Sequence, residues 1–325
     1  TAMLGPLKKK YENSHITWLT EKSAEPLLKN NPFIDRVLTH SPDNSLALLV
    51  ERFDILMNVD KSRRSGALAN LIDAKEKFGF GITEAGAIYP FNKEAEELYE
   101  LGLDDEKKFK HNVKTEQQLL CETMCLEYRR DEYVLDLTDE EKAYVVQYKK
   151  DIGIKENQVV IGFNTGCSNL YPYKKLEFEQ QVLLLKKLSK MFPHDRILLL
   201  GGKEDMENNN LLKKRMANRV VLTPTGQGLR KGILYEDACD IVVTGDTLGL
   251  HIALGLKKKV VVWFTTSCEQ EIDLYDRGQA VAANVGCRPC WKGGCDNEPK
   301  CNTMVGLDKI CEEVGKLRLK KESPV

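Results

Sequence analysis

Residues 241–254 read IVVTGDTLGLHIAL. The apolar run Ile241-Val242-Val243 empties into Thr244-Gly245-Asp246-Thr247, and the chain then resumes as a helix that carries His251 one turn in. A strand that ends in small and polar residues before a helix presents unpaired backbone N–H groups to an anion, as α/β proteins do for phosphate. Here the donors are the N–H groups of Thr247, Leu248 and Gly249, with Gly249 letting a ligand approach closely and His251 adding a side-chain donor. The same segment also reads as an ordinary helix start, Asp246 or Thr247 serving as N-cap and His251 as a satisfied histidine.

Two more strands end in the same manner. Val159–Phe163 runs into Asn164-Thr165-Gly166-Cys167-Ser168-Asn169, and Arg196–Leu200 runs into Gly201-Gly202-Lys203-Glu204-Asp205. Gly and Thr suit phosphates, and a carboxylate such as Glu204 suits a pair of ribose hydroxyls, so the three turns together read as a nucleotide diphosphate site. Apolar runs alternate with amphipathic helical patterns along the whole chain, the signature of βαβ units and parallel sheets. In the first half the strands are expected at Ile16–Leu19, Arg36–Leu38, Ile55–Asn58 and Phe78–Gly81, with helices beginning near Ser23, Ser45 and Gly66 and another over Lys110–Glu127. The second half adds strands at Val220–Leu222 and Val260–Phe264, and helices over Phe178–Met191, Met206–Ala217 and Gly232–Cys239. A charged stretch, residues 137–157, separates the halves, which predicts domains at 1–150 and 151–325 facing one another across a cleft.

The 325 residues suffice for two buried cores, and Lys+Arg 48 against Asp+Glu 49 leave a net charge of −1, so no global basic field argues for nucleic acid. No apolar run approaches the roughly 18 residues of a membrane span. The ten cysteines are scattered except for one cluster, which fits a reducing cytoplasm better than a disulfide framework. Residues 1–11 look helical and 15–20 like a strand; because a doubly wound domain ordinarily begins with a strand, a first strand and its loop are expected ahead of Thr1.

The cluster is CRPCWKGGCDNEPKC, with Cys287, Cys290, Cys295 and Cys301. C-x2-C brings two thiolates onto one ion, and the Gly pair and prolines allow a tight loop to supply the other two. The spacing suits a structural metal, zinc first and iron second, because four filled ligand positions leave none for catalysis. One or two disulfides, or four free thiols, are the alternatives.

NTGCSNLYPYKKL (164–176), LLLGGKED (198–205) and TGDTLGLHIALGLKKKVVVWF (244–264) resemble the donor-domain motifs of glycosyltransferase family 9, the ADP-heptose heptosyltransferases of lipopolysaccharide core assembly; ITWLTEKSAEPLLKNNPFIDRVL (16–38) is similar to that family's second strand and helix. The resemblance implies a GT-B fold, two Rossmann-like α/β domains, the first binding the acceptor and the second the nucleotide sugar. It puts Asp246 on hydroxyls of the transferred sugar, Thr247, Leu248, Gly249 and His251 on the diphosphate, Thr165 on phosphate and Glu204 on ribose. The family's lysine falls by strict spacing on Tyr171, with Lys174 and Lys175 nearby; Lys174 is taken as its counterpart. Gln227 stands where an apolar residue often faces adenine.

The resemblance further implies inverting transfer, in which a base takes the acceptor proton while the helix N-terminus, His251 and the lysine stabilise the leaving diphosphate, with no metal required. The family's base is an aspartate in a Gly-Asp loop, which is expected ahead of Thr1. Lys61, Arg63 and Arg64, in DKSRRSG (60–66), extended by His111 and Lys114, read either as a patch for an anionic glycolipid acceptor or as a solvated charge run. The implied setting is cytoplasmic, with peripheral contact at the inner face of the inner membrane. Another nucleotide sugar, a protein acceptor, or a non-catalytic nucleotide-sugar or metal-binding protein are the remaining readings.

Overall fold

Strands buried on both faces read as unbroken apolar runs, and those flanked by helices form parallel sheets. The computed structural model describes residues 1–319, and the chain folds into two units: Thr1–Val134 with Gln270–Asp273, and Leu135–Glu269 with the chain from Leu274 onward.

In the first unit α1 (Leu4–Lys10) precedes β1 (Thr17–Thr20), which pairs in parallel with β2 (Arg36–Thr39). α2 (Pro42–Val50) starts on Pro42 with the Ser41 hydroxyl accepting from the Asn44 N–H, a favoured helix start. β3 (Arg52–Asn58), α3 (Arg63–Leu71) and β4 (Asp73–Ile82) form a βαβ unit, and β5 (Ile88–Pro90) returns antiparallel to β4. α4 (Glu96–Glu100) and α5 (Glu116–Thr123) follow. The helix expected near Ser23 is only a 3-10 turn, Glu25–Leu27. The helix expected over Lys110–Glu127 is broken into a π turn, Lys107–His111, and α5. At the break the Asn112 side chain accepts from the Lys114 N–H, and Thr115 caps α5 by accepting from the Gln118 N–H. Short polar side chains that bond their own backbone compete with helix continuation.

The second unit opens with α6 (Asp139–Asp151) and continues β6 (Val160–Asn164), α7 (Phe178–Met191), β7 (Arg196–Leu200), α8 (Met206–Met216), β8 (Val220–Leu222), α9 (Leu229–Asp237), β9 (Ile241–Gly245), α10 (Leu248–Gly255), β10 (Lys259–Phe264), β11 (Gly278–Ala282) and α11 (Leu307–Leu319). The six strands are parallel and lie in the order β8-β7-β6-β9-β10-β11, the doubly wound 3-2-1-4-5-6 arrangement. Phe163, Val243, Val261 and Trp263 of the sheet pack with Leu184, Leu185 and Leu188 of α7 and Ile310 and Val314 of α11 in one buried cluster.

The division at Val134 differs from the expected boundary at residue 150. The charged helix α6 belongs to the second unit because it packs on α9: the Tyr148 ring lies 4.8 Å from the Tyr235 ring, and Arg230 donates to both oxygens of Glu141. β11, with its Gly and Gln, has no apolar run to announce it. Among the described residues no helix is long and apolar enough to cross a membrane.

Candidate functional site

β6 leads back to β7 and β8 on one side, and β9 leads on to β10 and β11 on the other. Between their carboxyl ends the strand order reverses, the place where open α/β sheets bind ligands. Asn164 closes β6 there. Its amide donates to the Thr244 and Thr247 hydroxyls, both at 2.9 Å, tying the end of β6 to the start of α10. Thr247 is the N-cap of α10, in extended conformation, and its hydroxyl is engaged with Asn164 rather than with the helix. The first N–H groups of α10, at Leu248 and Gly249, therefore open the helix without a side-chain cap and carry the positive end of its dipole. A Cβ at Gly249 would meet the Asn164 amide at 2.4 Å, so the glycine makes room for Asn164.

Asp246 is buried, and its carboxylate accepts from Lys174 Nζ at 2.6 Å, the two side chains only 9% and 11% exposed. The structure thus brings together Lys174 and Asp246, 72 residues apart, and it is Lys174 rather than Tyr171 or Lys175 that reaches this point. The backbone of Lys174 is seated as firmly. Its carbonyl accepts from Trp263 Nε1 at 2.9 Å and lies where a Cβ on Gly245 would stand, 2.8 Å away. The Lys174 ammonium also sits 3.9 Å from the centre of the Trp291 ring. The ammonium is thus buried between a carboxylate and an aromatic face, beside a helix N-terminus.

The other expected residues are placed unequally. His251 lies half-buried in the first turns of α10, and Leu248 is 49% exposed. Thr165 is 2% exposed, and its hydroxyl engages the Leu200 carbonyl and Asn209, so its side chain braces β6 against β7 and α8. Glu204 is exposed, on a 3-10 turn after β7. Its neighbour Asp205 is buried, accepts from the Gly202 N–H and pairs with Lys175 at 3.2 Å. Gln227 has its side-chain oxygen on the Tyr235 hydroxyl at 2.6 Å. Asn164, Asp205 and Trp291 escape the motif reading; for Asn164 and Asp205 the only signal is a polar residue at the end of an apolar strand.

In the first unit Lys61, Arg63 and Arg64 are exposed at the start of α3. Lys61 donates to the Leu98 carbonyl and lies over the Phe80 ring, and Arg64 pairs with Glu21. Lys114 is held between Glu97 and Glu122, at 2.6 and 2.8 Å, whereas His111 is exposed. In the second unit Cys301 is buried, and that burial, with the charges of Cys290, Cys295 and Cys287 nearby, pushes its thiol up to about 11. Among the described residues no group of three or more His, Cys, Asp or Glu side chains is disposed to hold a metal ion.

Solved structures share the fold at low identity. A glycosyltransferase family 9 protein from Veillonella parvula has a TM-score of 0.74 at 15% identity, over 98% of this chain and 92% of that one. The Escherichia coli ADP-heptose lps heptosyltransferase II has a TM-score of 0.69 at 16% identity, over 99% and 95%. The glycosyltransferase TibC of enterotoxigenic E. coli, described as iron-containing and dodecameric, has a TM-score of 0.53 at 11% identity, over 98% and 74%. Comparison with curated proteins yields no match. The family model for glycosyltransferase family 9 (heptosyltransferase) matches residues 46–301. With that match reaching from α2 through the donor-type turns to the cysteine loop, the chain belongs to glycosyltransferase family 9 and is a glycosyltransferase.

Proposed function

We propose that the protein moves heptose from ADP-heptose to an anionic lipopolysaccharide core acceptor, with inversion at the transferred carbon. The Lys174–Asp246 pair beside the open N-terminus of α10 carries this reading. A diphosphate placed there faces the Leu248 and Gly249 N–H groups and the Lys174 ammonium, and charge that develops as it leaves is stabilised by donors already in position. His251 adds to the leaving-group side, Asp246 to the sugar hydroxyls and Glu204 to the ribose. Thr165 supports the phosphate turn from beneath. The name of the E. coli enzyme of the same fold, which specifies ADP-heptose, supports the donor. Lys61, Arg63 and Arg64 form the surface offered to acceptor phosphates or carboxylates, consistent with work at the inner face of the inner membrane. No metal is assigned to the chemical step.

The test is a thermal-shift series with ADP-heptose, ADP and UDP-sugars, followed by transfer assays. A ligand that binds only the folded state, present at about 100 times its Kd, stabilises by about 2.7 kcal/mol. ADP-heptose and ADP are expected to raise the melting temperature while UDP-sugars do not; the reverse order overturns the donor. Asp246→Ala and His251→Ala are each expected to lower transfer on the order of 100-fold, and near-normal turnover in both sinks the site.

The four-cysteine cluster is further proposed as a structural zinc or iron site. Its support is the C-x2-C spacing and the iron described for TibC. As arranged, the thiols do not converge on one point, so an ion has to draw the loop inward.

A further inference from the structure

The loop that carries the cysteines lies across the segment that carries the site's lysine. Between Arg288 and Asn302 it is fastened at several places. Backbone N–H groups of Cys290 and Trp291 donate to the Thr266 carbonyl at 2.9 and 3.0 Å, directly after β10. The Arg288 guanidinium donates to the carbonyls of Thr265 and Ser267 and pairs with Glu269. At the far end the Asn302 amide donates to the Lys175 carbonyl at 3.1 Å. In between, Gly293 lies so close to the Leu170 carbonyl that a Cβ would come within 2.8 Å. These attachments leave the Trp291 ring against two side chains of the crossed segment: Tyr171, edge to face at 5.4 Å, and Lys174, whose ammonium is 3.9 Å from the ring centre.

We infer that Trp291 is a positioning residue for donor binding, holding the Lys174 ammonium between its indole face and Asp246 so that the lysine is in place when a nucleoside diphosphate arrives. The inference rests on the donor-site reading above for its consequence, but not for the contact itself. A lysine side chain has a flexible stem and a strongly hydrated head; left alone it spends most of its time in water. The ring covers the ammonium with an apolar body whose π face attracts the charge, so the amine stays beside Asp246. Removal of the ring therefore acts on donor binding through Lys174, whose ammonium also lies 5.5 Å from the centre of the Tyr171 ring.

Two measurements on the full chain test this. In the free protein, reductive methylation with formaldehyde and borohydride is read at Lys174 by mass spectrometry. Trp291→Leu is expected to raise the Lys174 methylation rate severalfold while Trp291→Phe, which keeps an aromatic face, remains near the native rate; equal rates in all three overturn the inference. ADP binding by calorimetry then reads the consequence. Trp291→Leu is expected to weaken Kd about tenfold, with Trp291→Phe recovering most of the loss. Lys174→Ala is expected to weaken it at least as much, with the double variant no weaker than Lys174→Ala alone. Additive losses show that Trp291 acts through something other than Lys174 and overturn the inference. A native protein that shows the methylation difference but does not bind ADP refutes the donor reading and leaves the lysine clasp standing.

Discussion

Glu236 shows how far one side chain can depart from its ordinary chemistry. It sits in α9, buried, with one carboxylate oxygen lacking a hydrogen-bond partner. Burial pushes its carboxyl well above the usual carboxylate range, against the weaker pull of Lys258 and of the Ala253 amide. In the window between the unfolded value and the raised folded value, the folded state holds a proton that the unfolded state has released. Stability is therefore fully present below the unfolded value and is lost as pH rises toward the folded one. Glu236→Gln keeps the shape without the titration. Its unfolding midpoint in urea is expected to match the native protein at about pH 4 and exceed it at about pH 8; an equal gain at both pH values shows that burial of the charge is not the cause. Among site residues, Asp246, Thr247 and Leu248 are legible because they lie consecutively after an apolar strand, and Lys174 is legible only as one of two adjacent lysines. Trp291 is not legible at all, since its partner Lys174 is far away in the chain and only folding brings the ring to the amine.

At the scale of elements, α6 is set by local rules and located by tertiary ones. Thr138 caps it in a reciprocal box: its hydroxyl accepts from the Glu141 N–H, and the Glu141 carboxylate accepts from the Thr138 N–H at 3.0 Å. Thr138→Ala is expected to lower the unfolding free energy by about 1 kcal/mol, with Thr138→Ser close to native, as read by chemical denaturation; an unchanged midpoint in the alanine variant removes the cap from the account. The sequence Thr138-Asp139-Glu140-Glu141 announces a helix start plainly. It does not announce that Tyr144 and Tyr148 will pack on Tyr235, which is why a charged stretch reads as a junction although the helix belongs to the second unit. β6, β7, β9 and β10 are legible because burial on both faces demands continuous apolar runs. β5 and β11 are not: β5 is three residues long, and β11, GQAVA, lacks a continuous apolar run.

For the molecule as a whole, the cysteine loop is the feature whose composition and placement say different things. Its spacing speaks of a metal; its attachments make it a strap over the segment that carries Lys174. Elemental analysis of protein purified without chelators is expected to give about one zinc or iron per chain. A metal-free preparation with all four cluster thiols open to a thiol reagent disposes of the metal site and leaves the Trp291 inference intact, because the loop is fastened by Thr266, Arg288 and Asn302 and not by sulfur.

Periodicity and strand-end chemistry by themselves determined that this chain is α/β, that its second half is doubly wound, and that TGDTLGLH stands at the carboxyl end of one of its strands, where a helix begins. Both features are local: a buried parallel strand needs consecutive apolar residues, and a phosphate turn needs consecutive small and polar ones. Which lysine meets Asp246, that Gly249 makes room for Asn164, that the Thr165 hydroxyl engages β7 and α8, and that a tryptophan from the cysteine loop covers Lys174 were decided only in the tertiary structure. Those are contacts between residues far apart in the chain, and nothing in the spacing of either partner encodes the distance between them.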